Sequence, residues 1–402
     1  MKTLRFALAL SLAISCSPTP PSAGEVSADT GSLVRSNTAF ALDLYRELRT
    51  TEGNLFFSPY SISTALAMTY GGARGKTADE MEQTLHFALD QDRLHPAFAK
   101  SDKRLGAIRN KGDLDLLVAN SLWPQVDYPF REEYLALARQ HYGAPVTPVD
   151  YSGATEEARK TINHWVEGKT RDRIRDLIRR GDLDPATMLV LVNAIYFKGD
   201  WAHQFDESRT YTGSFVLPGG EEKDVRMMTQ QGSFKYGEHE QVQVIELPYA
   251  GDDLAMFVVL PRSGYHLSDV EDSLTQENLL SWLSSLSPSE VEVSLPEFSI
   301  TWGTEDLTDH LQALGMKEAF LIGRADFSGM DGSRSLFMGS VLHKAFIEVN
   351  EEGSEASAST AVVIKGLSSR TLNFRADHPF LFLIRDNTTG TILFLGRLVD
   401  PL

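Results

Sequence analysis

Residues 351–364 run Glu351-Glu352-Gly353-Ser354-Glu355-Ala356-Ser357-Ala358-Ser359-Thr360-Ala361-Val362-Val363-Ile364, with strong strand patterns on either side. From Ser354 on, the even positions Ser354, Ala356, Ala358, Thr360, Val362 and Ile364 begin small and end larger and apolar. The odd positions Glu355, Ser357, Ser359, Ala361 and Val363 begin polar. Alternation of period two suits a strand with one face on a core, and small residues let it approach closely. Yet the connection from Glu351 to Asn373 far exceeds the about 4–6 residues usual between elements. A long connection that carries a strand pattern implies a segment able to occupy two states. An exposed Ser/Ala linker is the plainer alternative.

Working outward, strand patterns precede this segment at 115–122, 188–197, 242–247, 254–260, 291–295 and 343–349, and follow it at 380–384 and 391–398. Helical spacing appears over 36–49, where Ala39, Phe40, Leu42, Leu44, Tyr45 and Leu48 recur. Ser58 or Ser61 can cap a helix holding Ile62, Ala65, Leu66 and Met68. Further helices are expected over 77–87, 129–141 and 155–169. Helices dominate the first half and strands the second, without regular βαβ alternation, so the class is α+β. With no internal repeat and no interior linker, one large domain is expected.

The 402 residues carry 55 acidic and 38 basic side chains, a net charge of -17, with 42% hydrophobic residues. That composition is globular, and its acidity disfavours nucleic-acid binding, which needs surplus Lys and Arg. One cysteine excludes an intrachain disulfide framework and any zinc site of three or four cysteines. At the N-terminus, Lys2 and Arg5 precede an apolar run over 6–14, which reads as an export signal and is too short to span a membrane. Ala13-Ile14-Ser15-Cys16 resembles a bacterial lipobox, which implies lipid attachment at Cys16; a plain secretion signal cut a few residues later is the alternative. Ser17 after Cys16, rather than Asp, points to an outer membrane where the cell has one. The expected divisions are a signal peptide over 1–15, a Pro/Ser tether over 16–35 and one domain over 36–402. Losing Lys2 and Arg5 leaves 36 basic against 55 acidic side chains, or -19.

Several motifs fail. Gly71-Gly72-Ala73-Arg74-Gly75-Lys76-Thr77 is one residue short of a phosphate-binding loop and follows a helix rather than a strand. There is no Gly-x-Ser-x-Gly elbow and no His-Glu-x-x-His. Residues 169–180 carry six basic and two acidic side chains, which reads as a solvated helix face, with a polyanion site as the sharper alternative. Asn387-Thr388-Thr389 is a glycosylation sequon that a turn before the last strand explains equally well.

Glu351 to Ser359 resembles the hinge of inhibitory serpins. Asn54-Leu55-Phe56-Phe57-Ser58-Pro59-Tyr60-Ser61-Ile62-Ser63 is similar to the serpin N-terminal signature, and Val192-Asn193-Ala194-Ile195-Tyr196-Phe197-Lys198-Gly199-Asp200-Trp201 to the central strand of serpin sheet A. Asp377-His378-Pro379-Phe380-Leu381-Phe382 and Phe394-Leu395-Gly396-Arg397 match the C-terminal signature. The resemblance extends from Ser36 to Leu402.

It implies the serpin fold: one domain of three β-sheets and eight or nine helices, with an exposed reactive-centre loop over about 351–373. A target protease cleaves that loop and forms an acyl-enzyme. The freed loop then inserts into sheet A and drags the protease across, distorting its active site. The hinge would be Glu351, Gly353, Ser354, Glu355, Ala356, Ser357, Ala358 and Ser359. Ser58, Ser61, Asn193 and His343 would form the shutter, where sheet A opens, and Trp201 and Glu351 the breach, where insertion starts. Counting from Glu351 places the reactive bond at Leu367-Ser368; a shifted register would use Lys365 or Arg370.

The implied function is suicide-substrate inhibition of serine endopeptidases, with cysteine proteases as further targets and no enzymatic activity of its own. The implied partner is a chymotrypsin- or elastase-like protease met by a monomer, with no cofactor, metal or nucleic acid, and with membrane contact only through a lipid at Cys16. The protein would be exported, either anchored at the cell surface or periplasm or secreted. A non-inhibitory carrier or chaperone is the alternative, against which the small hinge residues speak.

Overall fold

The apolar runs near 254–260, 380–384 and 391–398 offer solvent no polar face, and fold as adjacent strands buried on both sides. The computed structural model describes residues 27–111, 114–353 and 371–401. In chain order, the first half contains α1 (Ala28–Leu48), β1 (Leu55–Phe57), α2 (Pro59–Tyr70), α3 (Gly75–Thr84), α4 (Gln91–Arg109), β2 (Leu114–Pro124), α5 (Glu132–Tyr142), α6 (Tyr151–Lys169) and β3 (Leu189–Gly199). Then come β4 (Tyr211–Val216), β5 (Glu222–Glu238), β6 (Val242–Pro248), β7 (Leu254–Pro261), α7 (Leu267–Asp272), α8 (Gln276–Ser284), β8 (Ser287–Pro296) and β9 (Phe298–Asp306). The last are α9 (Thr308–Ala313), α10 (Ser328–Asp331), β10 (Leu342–Val349), β11 (Leu372–Arg375), β12 (Phe380–Asp386) and β13 (Ile392–Leu398).

The strands expected over 115–122, 188–197, 242–247, 254–260, 291–295, 343–349, 380–384 and 391–398 are found with ends shifted by a few residues, and the helices expected over 77–87, 129–141 and 155–169 likewise, while the helix expected over 36–49 begins at Ala28. Four expectations need correction. The tether is shorter than 16–35: the Ser27 hydroxyl caps α1 by accepting from the Thr30 amide at 3.3 Å, and Leu33 is already buried. Residues 170–181 are turns rather than a helix, because Arg171, Asp172 and Asp176 adopt left-handed backbone and Ile174, Leu177 and Ile178 fold inward. There are ten α-helices among the described residues, against eight or nine expected; several, such as α10, are single turns. Two of the three expected sheets share one strand.

That strand is β5, whose 17 residues pair with β4, β8 and β6 in turn and splice two arms into a nine-stranded sheet. The second sheet has four strands in the order β2-β3-β10-β9. Its centre is a parallel pair, β3 beside β10, with antiparallel neighbours outside. Period-two alternation sorts its faces. Val192, Ala194 and Tyr196 face α6, where they pack with Tyr151, Ile162 and Val166. Ile195 and Phe197 face the main core, as do Ala345, Ile347 and Val349 on β10.

Aromatic stacking ties the two sheets together. The Phe56 and Phe394 rings stack at 5.0 Å, and Phe394 meets Phe197 of the four-stranded sheet at 5.5 Å. Phe394→Ala removes both contacts and leaves a void, so urea unfolding is expected to show a loss of about 3–5 kcal/mol.

Candidate functional site: a closed seam and its hinge

The parallel ladder between β3 and β10 is short. It runs from Lys344 opposite Ala194 to Ile347 opposite Phe197. Where it ends, side chains take over. The His343 Nδ1 lies 3.0 Å from Asn193 Oδ1, and the Ser58 amide donates to His343 Nε2 at 3.2 Å. Since Nε2 accepts, the proton sits on Nδ1 and His343 is neutral. The Asn193 amide in turn donates to the Ser61 carbonyl at 2.9 Å and to Asn120 Oδ1 at 2.8 Å. Ser58 caps α2: its hydroxyl accepts from the Ser61 amide at 3.1 Å and donates to the Leu393 carbonyl at 2.7 Å. The four residues named from sequence as a shutter are thus one bonded cluster under the seam, with Asn120 as an unanticipated fifth member. Burial holds the His343 ring down to about 3.

At the other end of the seam the chain leaves β10 at Val349 and turns over the end of β3. The Trp201 indole donates to the Asn350 carbonyl at 2.9 Å, and the Phe205 amide to the Glu351 carbonyl at 3.0 Å. Trp201 stacks flat on Tyr249 at 4.7 Å. Gly353 has φ +72°, and a Cβ there would run into the Gly199 carbonyl and the Trp201 amide, so only glycine fits the turn. The Glu351 carboxylate accepts from the Thr210 hydroxyl at 2.6 Å and from Arg226 at 2.8 Å, while Arg226 also holds Glu297 at 2.8 Å. Burial alone would raise the Glu351 carboxyl, but hydrogen bonds with Glu297, Thr210 and Arg226 outweigh it and hold it down to about 2. Burial and the adjacent Glu351 carboxylate push Glu297 the other way, above its ordinary value. Trp201 and Glu351, the two residues named from sequence as a breach, therefore lie at the same end of the seam. Thr210, Arg226 and Glu297 were missed, since no motif marks the stretches they occupy.

Over the opposite face, residues 170–181 form a strap across the sheet. Arg171 pairs with Asp115 on β2, the Arg173 guanidinium lies 5.8 Å from the Tyr196 ring centre on β3, and Lys344 on β10 donates to the Arg175 carbonyl at 2.8 Å. Arg171 and Arg173 here are thus engaged with the sheet itself.

Several expected positions lie outside the described residues: Ser354, Glu355, Ala356, Ser357, Ala358 and Ser359 of the hinge, the reactive bond Leu367-Ser368 with its alternatives Lys365 and Arg370, and Cys16.

A family model described as Serpin (serine protease inhibitor) matches residues 35–401. The chain belongs to the serpin family. It is 42% identical over 386 residues to the leukocyte elastase inhibitor of Homo sapiens, covering 92% of this chain and 99% of that protein. It is 41% identical over 379 residues to a serpin-like protein of Thermococcus kodakarensis, covering 92% of this chain and 86% of that one. Among solved structures, uncleaved ovalbumin superposes with a TM-score of 0.81 at 32% identity, covering 92% of this chain and 100% of that one. The thermophilic serpin tengpin in its native state gives 0.83 at 26% identity, covering 95% and 97%. The four-stranded sheet is thus the sheet A of this serpin, and the β3–β10 seam is where a further strand would enter.

The buried cluster around His343 gives this serpin an acid sensitivity of defined sign. His343 is neutral when folded and titrates near 6.5 when unfolded, so its contribution is complete above pH 6.5 and is lost as pH falls towards 3. The slope is about 1.4 kcal/mol per pH unit. His343→Gln is expected to flatten the pH dependence of urea unfolding by about that slope between pH 6.5 and 4.

Proposed function

We propose that this serpin is a suicide-substrate inhibitor of serine endopeptidases, chymotrypsin- or elastase-like, and not itself an enzyme. The observation that carries the reading is the seam: two parallel strands joined over four residue pairs, with the chain leaving β10 beside the end of β3. A segment continuing from Gly353 starts at that end, and re-enters antiparallel to both strands once they part. Protease attack on the Leu367 carbonyl would leave an acyl-enzyme on Leu367 and a new amino terminus on Ser368. Residues 354–364 then become a strand between β3 and β10, with Ser354, Ala356, Ala358, Thr360, Val362 and Ile364 towards the core. It gains a ladder on each side, at about 0.5–1.5 kcal/mol net per hydrogen bond, against the short ladder it displaces. The same trap would serve against cysteine proteases that form an acyl-enzyme.

The leader supports a second part of the reading: a monomeric bacterial lipoprotein, exported and held at the membrane through Cys16. Cys16→Ser is expected to abolish labelling by radioactive palmitate in a bacterial host.

Incubation with chymotrypsin- and elastase-like proteases is expected to give an SDS-stable covalent complex. Ala356→Arg places a bulky charge on the core-facing side and is expected to turn the protein into a substrate, cleaved without complex. Cleavage of the unaltered protein across a broad panel with no complex formed would sink the inhibitor reading.

A further inference from the structure

The stretch between α9 and β10, residues 317–337, departs from the rest of the surface in two ways. Seven large apolar side chains are exposed among the described residues, and three of them, Leu321, Ile322 and Phe337, lie here. Ile322 is 77% exposed, in a turn that the Ala325 amide closes on the Leu321 carbonyl at 3.0 Å. The Met338 amide donates to the Ala319 carbonyl at 2.8 Å, which brings Phe337 alongside that turn. Single apolar side chains scattered over a surface are ordinary, whereas a group of them marks a contact.

The charges are sorted as well. In a chain of net charge -17, the bases of this stretch, Lys317, Arg324 and Arg334, are all exposed, whereas none of its acids is. Glu318 and Asp326 are buried, and Asp331 is half-buried. Glu318 pairs with Arg324 and, at 2.7 Å, with Lys76; Asp326 pairs with Arg334 at 2.8 Å, and Asp331 accepts from the Tyr128 hydroxyl at 2.7 Å. The outward side is therefore apolar and cationic. That combination suits a bilayer interface, where apolar side chains enter the boundary between headgroups and acyl chains and cations meet anionic headgroups.

The N-terminal stretch supplies the occupant. Cys16 lies eleven residues before Ser27, a reach of at most about 40 Å. From the start of α1, direct contacts run on to the patch. Asp29 pairs with Arg93 in the first turn of α4, Gln91 beside it donates to the Tyr70 carbonyl at 2.8 Å, and the Arg74 amide donates to the Asp326 carbonyl at 2.8 Å. We propose that residues 317–337 rest on the anionic bilayer in which the Cys16 lipid is seated, an inference that rests on the lipoprotein reading above. So few contacts bind weakly alone, but a tether raises their effective concentration and lets them set the orientation of the molecule. That orientation matters for the trap. Residues 317–337 lead to Leu342 at the start of β10, whereas the hinge leaves at Val349, about 23 Å further along the strand. Seated this way, the serpin holds its loop away from the membrane and towards proteases in solution.

The test uses the full chain as a bacterial host processes it, reconstituted in vesicles of phosphatidylcholine and phosphatidylglycerol. With Cys16 lipidated, the thiol introduced by Ile322→Cys takes a single fluorophore; Tyr211→Cys, exposed beside the Thr210–Glu351 contact at the hinge end, is the control. Lipids with a nitroxide high on the acyl chain are expected to quench position 322 about threefold more than position 211, or better. The difference is expected to vanish in vesicles of phosphatidylcholine alone, and in about 1 M salt, which screens the headgroups. Ile322→Asp is expected to lower the quenching of a fluorophore at Phe337→Cys about twofold or more while the protein still floats with the vesicles. Equal quenching at 322 and 211 in a chain that floats with the vesicles would overturn the proposal and leave the anchor standing, whereas a chain that does not float overturns both. An undiminished difference with phosphatidylcholine alone would overturn the assignment to anionic headgroups. A dimer in sedimentation that Ile322→Asp disrupts would assign the patch to a second copy and overturn the proposal too.

Discussion

The hydrogen bond between His343 and Asn193 closes a seam that the backbone ladder alone closes over only four residue pairs. Around it the sequence spends an unusual number of buried polar groups: two serines at a helix start, an asparagine, and a histidine with no exposed surface. Each has its partner, and burying them is tolerable for that reason alone. A polar latch also has a property that apolar packing lacks. It can part and re-form against another strand's backbone without leaving a shape mismatch, whereas interlocked leucines at this point would either never open or never close again. The neutral tautomer of His343 is part of that latch, because the Ser58 amide needs an acceptor at Nε2.

The other end of the seam is held by charge. Glu351 and Glu297 approach one guanidinium, that of Arg226, and their proton affinities are driven apart. Arg226 lies on β5, the strand that splices the nine-stranded sheet, so Glu351 at the start of the loop is tied to that sheet as well as to the four-stranded one. Trp201 and Gly353 complete the fixture by fixing the direction in which the chain leaves. The two ends of the seam thus use different physics. Neutral hydrogen bonds hold the interior end, and an ion-pair network holds the rim, where solvent screens it.

What the sequence disclosed follows from where the signal is local. Strands β3, β7, β10, β12 and β13 were readable because burial on one or both faces leaves apolar runs or strict alternation. Strand β5 was not readable: Glu222 to Glu238 is mostly polar, carries Gly232, and is extended only because β4, β6 and β8 flank it. Helix α4 was hidden by its charged faces and by Pro96 inside it. Within the site, Ser58, Ser61, Asn193, His343, Trp201 and Glu351 could be named in advance because they sit in recognisable motifs. Asn120, Thr210, Arg226 and Glu297 could not, since their importance lies entirely in contacts across the fold. The boundary near residue 36 was misplaced for a related reason. The first turns of α1 are polar on the outside, and only the burial of Thr30 and Leu33 reveals that the domain has begun.

Strand β11 pairs in parallel with β8 at the far edge of the nine-stranded sheet, and β12 and β13 lie wholly inside it. The chain from Leu372 to Leu398 is therefore woven into the body of the molecule rather than appended to it. A cut in the loop yields two polypeptides but one particle: the C-terminal piece carries Phe380, Phe382 and Phe394 in the common core and cannot dissociate unless the whole domain unfolds. Severing one peptide bond frees a segment to move while nothing else in the structure is lost.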